Sequence, residues 1–211
     1  MQSDRRPYQR ETEDRRRDDL ILAVLDLVSE GGTGAATVRA IAERAGVTPG
    51  LVRHYFGDKD SLMRAAYGRL MGALVDPSTA AAAAAGPDPV QRLAAYLSAA
   101  LDAASLDGRT ISVWAAYIHQ TRHDAALRQA HEAGYLAFRD RLEALIADLP
   151  ACPMPPRDAA IAINALLDGL WLEGGLLPQR FAAGEVQAIA LAAAARLLDL
   201  PDLSTPKGSL P

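Results

Sequence analysis

The stretch TVRAIAERAGVTPGLVRHYF, from Thr37 to Phe56, is the part of this chain on which the fold prediction rests. Two short amphipathic segments are joined by a turn containing Gly46, and this spacing is typical of a helix-turn-helix. We expect Thr37 and Thr48 to be N-caps, because a hydroxyl can accept from unpaired amides, and Pro49 to stand in the first turn, because it lacks the amide. The apolar corner shared by the two helices is expected to consist of Ile41, Ala45, Val47, Val52 and Phe56.

Helical spacing of apolar residues continues on both sides of this stretch. It predicts a first helix that stops at Gly31–Gly32 and a fourth that follows Gly57–Asp58 and ends at Pro77. The Ala-rich segment 78–89 is expected to be a linker or the frayed end of a helix. Five further helices are predicted: Pro89–Ala104, Thr110–Thr121, Ala125–Leu149, Asp158–Leu177 and Glu185–Leu200. Because no segment has the alternation of a strand, we predict an all-α fold of about nine helices.

Composition and charge limit the classes of protein. The 211 residues are 50% hydrophobic and 23% charged, which is ordinary for a globular protein. Residues 1–70 contain 12 basic and 11 acidic side chains, whereas residues 71–211 contain 10 and 15, so the basic side chains are concentrated near the N-terminus. Cys152 is the single cysteine, which excludes an intrachain disulfide and a paired-cysteine zinc site. Without an uninterrupted apolar run of about 18 residues or a signal-peptide segment, we expect a cytoplasmic protein.

The exposed face of the second helix of the motif is suited to DNA. It offers Thr48, Gly50, Arg53, His54 and Tyr55, a mixture of hydroxyl, guanidinium and imidazole groups that suits phosphate oxygens and base edges. Lys59 begins the next helix, where its ammonium group and the nearby amides could both meet a phosphate.

The motif resembles that of the TetR family of bacterial regulators. The resemblance covers Leu20 to about Leu74, and the Gly46 turn, Tyr55–Phe56 and the pair Lys59 and Leu62 fall at the family's offsets. Within the family, the BetI group of choline-pathway repressors is the most similar. That similarity continues into the C-terminal half through Val113–Trp114, His119–Gln120 and the stretch LLDGLWLEGGL from Leu166 to Leu176.

This resemblance implies a set of DNA contacts. Residues implied to contact phosphates are Thr37, Thr48, Tyr55 and Lys59, and those implied to lie at or near bases are Gly50, Leu51, Arg53 and His54; Pro49 completes the DNA-binding set. Many family members have tyrosine where this chain has Arg53, and an arginine there could bind guanine with two hydrogen bonds or a phosphate alone. The implied domains are a flexible arm (1–13), the DNA-binding domain (14–74), a helical bundle for ligand binding and dimerisation (75–202) and a flexible tail (203–211).

The resemblance also implies a ligand pocket in the C-terminal bundle and a dimer interface formed by the last two helices. Those helices have more apolar surface than one core helix needs, which pairing with a second subunit would bury; burial of both faces within one subunit is the alternative. Aromatic faces with a carboxylate would suit a cation such as a quaternary ammonium. The candidate ligand-binding residues are Tyr96, Trp114, Tyr117, Tyr135, Asp168 and Trp171, although such aromatics are usually core residues.

Other classes of site and function are disfavoured by the sequence. His119, His123 and His131 could bind a metal only if one helix held all three, and Arg122–Asp124 is expected to end that helix, so no metal site is predicted. Cys152 has no evident base beside it, and we expect neither an enzyme nor a cofactor. A non-specific architectural DNA protein would need stronger positive charge. The N-terminal arginines Arg5, Arg6, Arg10, Arg15, Arg16 and Arg17 form either a solvated arm or a DNA-contacting one.

Overall fold

The computed structural model describes residues 5–203, with side chains from residue 13 onwards. Within this range the chain is all-α, as predicted, with no strand. A short 3-10 turn, Pro178–Arg180, precedes the last helix. The helices are α1 (Arg5–Ala35), α2 (Val38–Arg44), α3 (Pro49–Phe56), α4 (Lys59–Ala84), α5 (Pro89–Ala100), α6 (Gly108–Gln120), α7 (Ala125–Ala147), α8 (Pro156–Leu176) and α9 (Glu185–Leu197).

The chain forms two compact units. Of the described residues, those up to Leu70 form the N-terminal unit together with 112–130, and the C-terminal unit consists of 71–111 and the residues from His131 onwards. The domain bounds expected from the sequence, 14–74 and 75–202, stay a prediction. The expected tail, 203–211, lies outside the described residues except for Leu203, and so do residues 1–4 and the side chains up to residue 12 of the expected arm.

The predicted glycine stop of the first helix is confirmed by the backbone of α1. Gly31 has φ −145° and ψ 20°, and Gly32 has φ 70° and ψ −177°, so the helical path is broken at both residues. A residue with a side chain would be strained at the positive φ of Gly32. The break turns the chain before α2.

The prediction that the fourth helix ends at Pro77 is wrong. α4 continues through the proline to Ala84. Segment 78–89, expected to be a linker or the frayed end of a helix, is therefore helical as far as Ala84. Alanine has the highest helix propensity of all residues, and the buried Ala82 packs into the core of the C-terminal unit. Both effects oppose the local disruption that a proline causes inside a helix.

The C-terminal unit has one continuous apolar core that includes one face of α8. Within residues 5–203, α8 is also the one helix that is long and apolar enough to cross a membrane. Its buried Ala160, Ile163 and Leu167 belong to the core cluster, which is the environment of a core helix. Towards the end of α8, a Cβ on Gly174 would lie 3.0 Å from a methyl of Leu106 and 3.2 Å from one of Val186.

Gly175 is the closest point of approach in this unit. A Cβ there would overlap the side chain of Ile111 and lie 3.3 Å from the carbonyl oxygen of Leu106. We therefore expect Gly175→Ala to lower the free energy of unfolding by about 1 to 3 kcal/mol, through overpacking. Gly68→Ala is the matched control, because Gly68 is an exposed α4 residue with open space at its Cβ position.

The control should raise stability by about 0.5 to 1 kcal/mol, because alanine is the better helix former. Chemical denaturation of the two variants would measure both changes. Equal effects of the two substitutions would contradict the close approach at Gly175.

Candidate nucleic-acid interface

The turn between α2 and α3 has the geometry of a Schellman motif. The amide of Gly46 donates to the carbonyl of Glu43 at 3.2 Å, and the amide of Val47 donates to the carbonyl of Ala42 at 2.9 Å. Gly46 has φ 64°, in the left-handed region that glycine adopts without strain. These bonds satisfy the last carbonyls of α2 and redirect the chain into α3.

The predicted apolar corner lies where the two helices meet. Ile41 of α2 is 0% exposed and Val52 of α3 is 2% exposed. Ala45, Val47 and Phe56 are half-buried. Because α3 is only eight residues long, this burial and not its own helix propensity holds it in place.

The caps of these helices differ from one another. Thr37 is confirmed as a cap, since its Oγ1 accepts from the amide of Ala40 at 3.2 Å. Thr48 holds the N-cap position of α3 with extended backbone angles, but its side chain makes no capping bond, contrary to expectation. Before α4, Oδ1 of Asp58 accepts from the amide of Ser61 at 2.7 Å. Hydrogen bonds from the amide of Ser61 and from its side chain hold the pKa of Asp58 below its ordinary value.

The candidate DNA-binding residues lie on and beside α3, and most of them face solvent. Leu51, Tyr55 and Lys59 are half-buried, and the rings of His54 and Tyr55 meet edge to face at 5.0 Å. The exposed members are Thr37, Thr48, Pro49, Gly50, Arg53 and His54. A contiguous polar face with one guanidinium and one imidazole is therefore accessible on α3.

Two arginines hold the motif against α1, and sequence reasoning missed both roles. Arg44 of α2 donates two bonds to the carboxylate of Glu30, at 3.0 and 2.8 Å, and these bonds lower the pKa of Glu30. Arg17 of α1 donates from Nη1 to the carbonyl of Tyr55 at 2.6 Å. Their partners are distant in sequence, so no local pattern identified them.

Segment 112–130 belongs to the N-terminal unit, where it contacts α4 and the end of α1. The buried Tyr117 of α6 donates its hydroxyl to the carbonyl of Met63 at 3.1 Å, and its ring stacks on Tyr67 with centroids 4.9 Å apart. Nε2 of Gln120 donates to Oγ1 of Thr33 at 3.3 Å. An open cleft of about 300 Å³ in this unit is lined by Thr33, Lys59, Met63, Tyr117, Gln120 and Asp124, among others.

The six candidate ligand-binding residues are divided between the two units. Trp114 and Tyr117 belong to the N-terminal unit, whereas Tyr96, Tyr135, Asp168 and Trp171 belong to the C-terminal unit. Tyr96 is fully buried and donates to the carbonyl of Phe138 at 2.8 Å, and Nε1 of Trp171 donates to the carbonyl of Ser105 at 2.7 Å. Polar atoms engaged by backbone carbonyls are typical of core aromatics.

Tyr135 and Asp168 are brought together, with Asn164 between them. The hydroxyl of Tyr135 donates to Oδ2 of Asp168 at 2.7 Å, and Nδ2 of Asn164 lies 2.6 Å from that hydroxyl and 3.1 Å from Oδ2. Burial, followed by the bond to Asp168, raises the pKa of Tyr135 to about 12. Desolvation of its carboxylate raises the pKa of Asp168.

The histidines suggested as possible metal ligands do not form a metal-binding group. His119 and His123 have ring centroids 5.4 Å apart. Over the described part of the chain, no three His, Cys, Asp or Glu side chains are grouped so that they could hold a metal ion. His131 instead packs near the ring of Tyr135, with centroids 5.8 Å apart.

A helix-turn-helix with an exposed polar recognition face defines this chain as a DNA-binding transcriptional regulator. Residues 20–66 match the model of bacterial regulatory proteins of the tetR family, and residues 89–199 match that of BetI-type transcriptional repressors, C-terminal part. The chain belongs to the TetR family and has a BetI-type C-terminal region. It is a regulator and not an enzyme.

Individual relatives agree with this assignment. The HTH-type transcriptional regulator BetI of Burkholderia cenocepacia is 35% identical over 162 residues, covering 76% of this chain and 82% of the relative. The crystal structure of a transcriptional regulator from Pseudomonas aeruginosa has 30% identity and a TM-score of 0.77, covering 88% of this chain and 91% of that one. A Rhodococcus regulator has 26% identity and a TM-score of 0.72, covering 90% and 99%.

Proposed function

We propose that this protein is a cytoplasmic repressor that binds a palindromic operator as a homodimer and is released by a small-molecule effector. The observation that supports this most directly is the exposed polar face of α3. Two subunits would place their α3 helices in successive major grooves, about 34 to 36 Å apart. Arg53 and His54 would lie at base edges, with Gly50 and Leu51 close by. The phosphate contacts would come from Thr37, Thr48, Tyr55 and Lys59, with Pro49 at the start of α3.

The proposed dimer is supported by apolar side chains that a single subunit leaves exposed on α8 and α9. Leu176 is 63% exposed, Ile189 is 41% exposed and Ile161 is 36% exposed. Burial of this surface in a symmetric contact between two copies would remove it from water. The close approaches of Gly174 and Gly175 are made within one chain, so the dimer contact would not depend on those glycines.

The proposed effector is a small cation. Of the six candidate residues, Tyr135 and Asp168 provide the pairing that such a ligand needs, an aromatic ring beside a carboxylate. Asn164 orders the carboxylate through its own hydrogen bond. Of the other four, Tyr96 and Trp171 would contribute packing within the C-terminal unit, and Trp114 and Tyr117 within the N-terminal unit.

Segment 112–130 offers a route by which ligand binding would reach the DNA-binding helices. It lies within the BetI-type region, yet it packs in the same unit as the helix-turn-helix. A displacement of α6 would act on α4 through the bond from Tyr117 to Met63 and on the end of α1 through Gln120 and Thr33. Ligand and operator would then weaken each other by the same factor.

The repressor proposal is tested by sequencing the genomic DNA fragments that the purified protein selects at physiological salt. We expect enrichment of a palindromic site, because two equivalent α3 helices would contact two equivalent half-sites. Equal recovery of unrelated fragments would contradict the proposal and favour an architectural role, in which phosphate neutralisation dominates.

Arg53 is expected to distinguish between bases. Arg53→Ala should weaken binding to the selected site by about 1 to 3 kcal/mol and relax the preference at one position in each half-site, since a bidentate arginine–guanine contact is lost. Binding to single-base variants of the site, at fixed salt, measures both effects. Arg69→Ala, an exposed α4 variant with the same loss of charge, is the control. Unchanged base preference in Arg53→Ala would exclude base reading by this residue.

The cationic effector is tested with choline and betaine aldehyde as probes. Millimolar concentrations should raise the Tm of the wild-type protein, because a ligand that binds only the folded state stabilises it. Asp168→Asn should abolish this shift, whereas Asp158→Asn, which neutralises an exposed carboxylate in the first turn of the same helix, should preserve it. A shift that survives in Asp168→Asn would place the cation elsewhere, and no shift in the wild type would contradict a choline-like effector.

A further inference from the structure

Arg17 makes two contacts with the end of α3. Its Nη1 donates to the carbonyl of Tyr55 at 2.6 Å, and its Cζ lies 4.4 Å from the centroid of the Phe56 ring. The hydrogen bond joins residues 38 positions apart in the chain. The guanidinium therefore links α1 directly to the last turn of the helix expected to read DNA.

The chemistry of both contacts favours an arginine. Carbonyls in the last turn of a helix have no partner within that helix, and a cation at this end interacts favourably with the helix dipole. The carbonyl of Arg53 is already occupied by the amide of Gly57 at 2.9 Å. A planar guanidinium can donate in its plane to Tyr55 while its face lies over Phe56, an arrangement that a lysine ammonium cannot reproduce.

We propose that Arg17 is a positioning residue for DNA recognition, which fixes the orientation of α3 and does not itself contact DNA. The contact holds the backbone of Tyr55 and the ring of Phe56 against α1, and so sets the direction in which Arg53 and His54 face. Arg15 and Arg16 are exposed neighbours on the same helix. Arg17 therefore has a role other than the two considered for the N-terminal arginines, a solvated arm or a DNA-contacting one. This inference rests on DNA binding by the protein.

The salt dependence of operator binding separates positioning from a phosphate contact. Arg17→Ala should weaken binding about threefold to tenfold at a given salt concentration, the order expected for an exposed cation–π contact and one hydrogen bond. The slope of log K against log salt should stay that of the wild type. Removal of a phosphate contact would instead reduce the slope by about 0.9. Arg17→Lys, which keeps the charge, should not restore affinity.

Arg16→Ala is the matched control, because it removes the same charge one residue earlier. A reduced salt slope in Arg17→Ala together with restored affinity in Arg17→Lys would overturn the proposal. Thermal unfolding without DNA should give Arg17→Ala, Arg17→Lys and Arg16→Ala a Tm close to that of the wild type, since both arginines are exposed.

A double-mutant cycle with Phe56→Leu gives a second, independent test. Leucine keeps an apolar side chain in the corner but removes the aromatic face beneath the guanidinium. The two substitutions together should weaken operator binding by less than the sum of their separate effects, because both remove one shared contact. Strict additivity would contradict the proposal. If the wild type itself selected no DNA site, the regulator proposal would fail first, so the two failures are distinguishable.

Discussion

The angle between α2 and α3 is the constraint on which the DNA-binding part of this protein depends. An eight-residue helix cannot maintain its own orientation, so α3 is held from three sides. The left-handed Gly46 sets the turn, the burial of Ile41 and Val52 closes the corner, and Arg17 holds the far end. Only the remaining polar face is free to meet a groove. A short helix fixed by its surroundings presents its side chains at a defined angle, as direct readout of base edges requires.

The same local signals explain how much of the fold was predictable. Glycine stops, cap residues and helical spacing predicted the nine helices found between residues 5 and 203, and the helix-turn-helix among them, because these features depend on neighbours within a few residues. The predicted end of α4 was wrong because Pro77 was taken to stop the helix. The helix propensity of the alanines that follow and the burial of Ala82 outweigh the disruption that the proline causes. Arg17 and Arg44 were counted as charges in a composition, and their partners became apparent only when α1, α2 and α3 were placed in space.

The candidate ligand site was the least predictable part for a related reason. Aromatic residues in a helical protein serve both as core and as pocket walls, and sequence spacing is the same for either role. Tyr96 and Trp171 satisfy their polar atoms with backbone carbonyls, whereas Tyr135 bonds to the carboxylate of Asp168. Burial and hydrogen-bond partners distinguish these cases, and both depend on which helices become neighbours. The division of residues 112–130 from the rest of the C-terminal region likewise has no signal in the sequence.

The missing side-chain hydrogen bond of Thr48 at the start of α3 affects the energetics of recognition. Thr48 supplies no side-chain acceptor at the start of α3, although its carbonyl accepts from the amide of Leu51 at 3.0 Å. Because Pro49 has no amide, the amide of Gly50 is the one in this turn that is left for an acceptor outside the helix. A phosphate oxygen placed there would complete the helix as well as neutralise charge. The nucleic acid would then complete the hydrogen bonding of the helix that reads it, and part of the binding free energy would come from that bond. Exchange of the Gly50 amide would slow when DNA is bound and would report this bond separately from affinity.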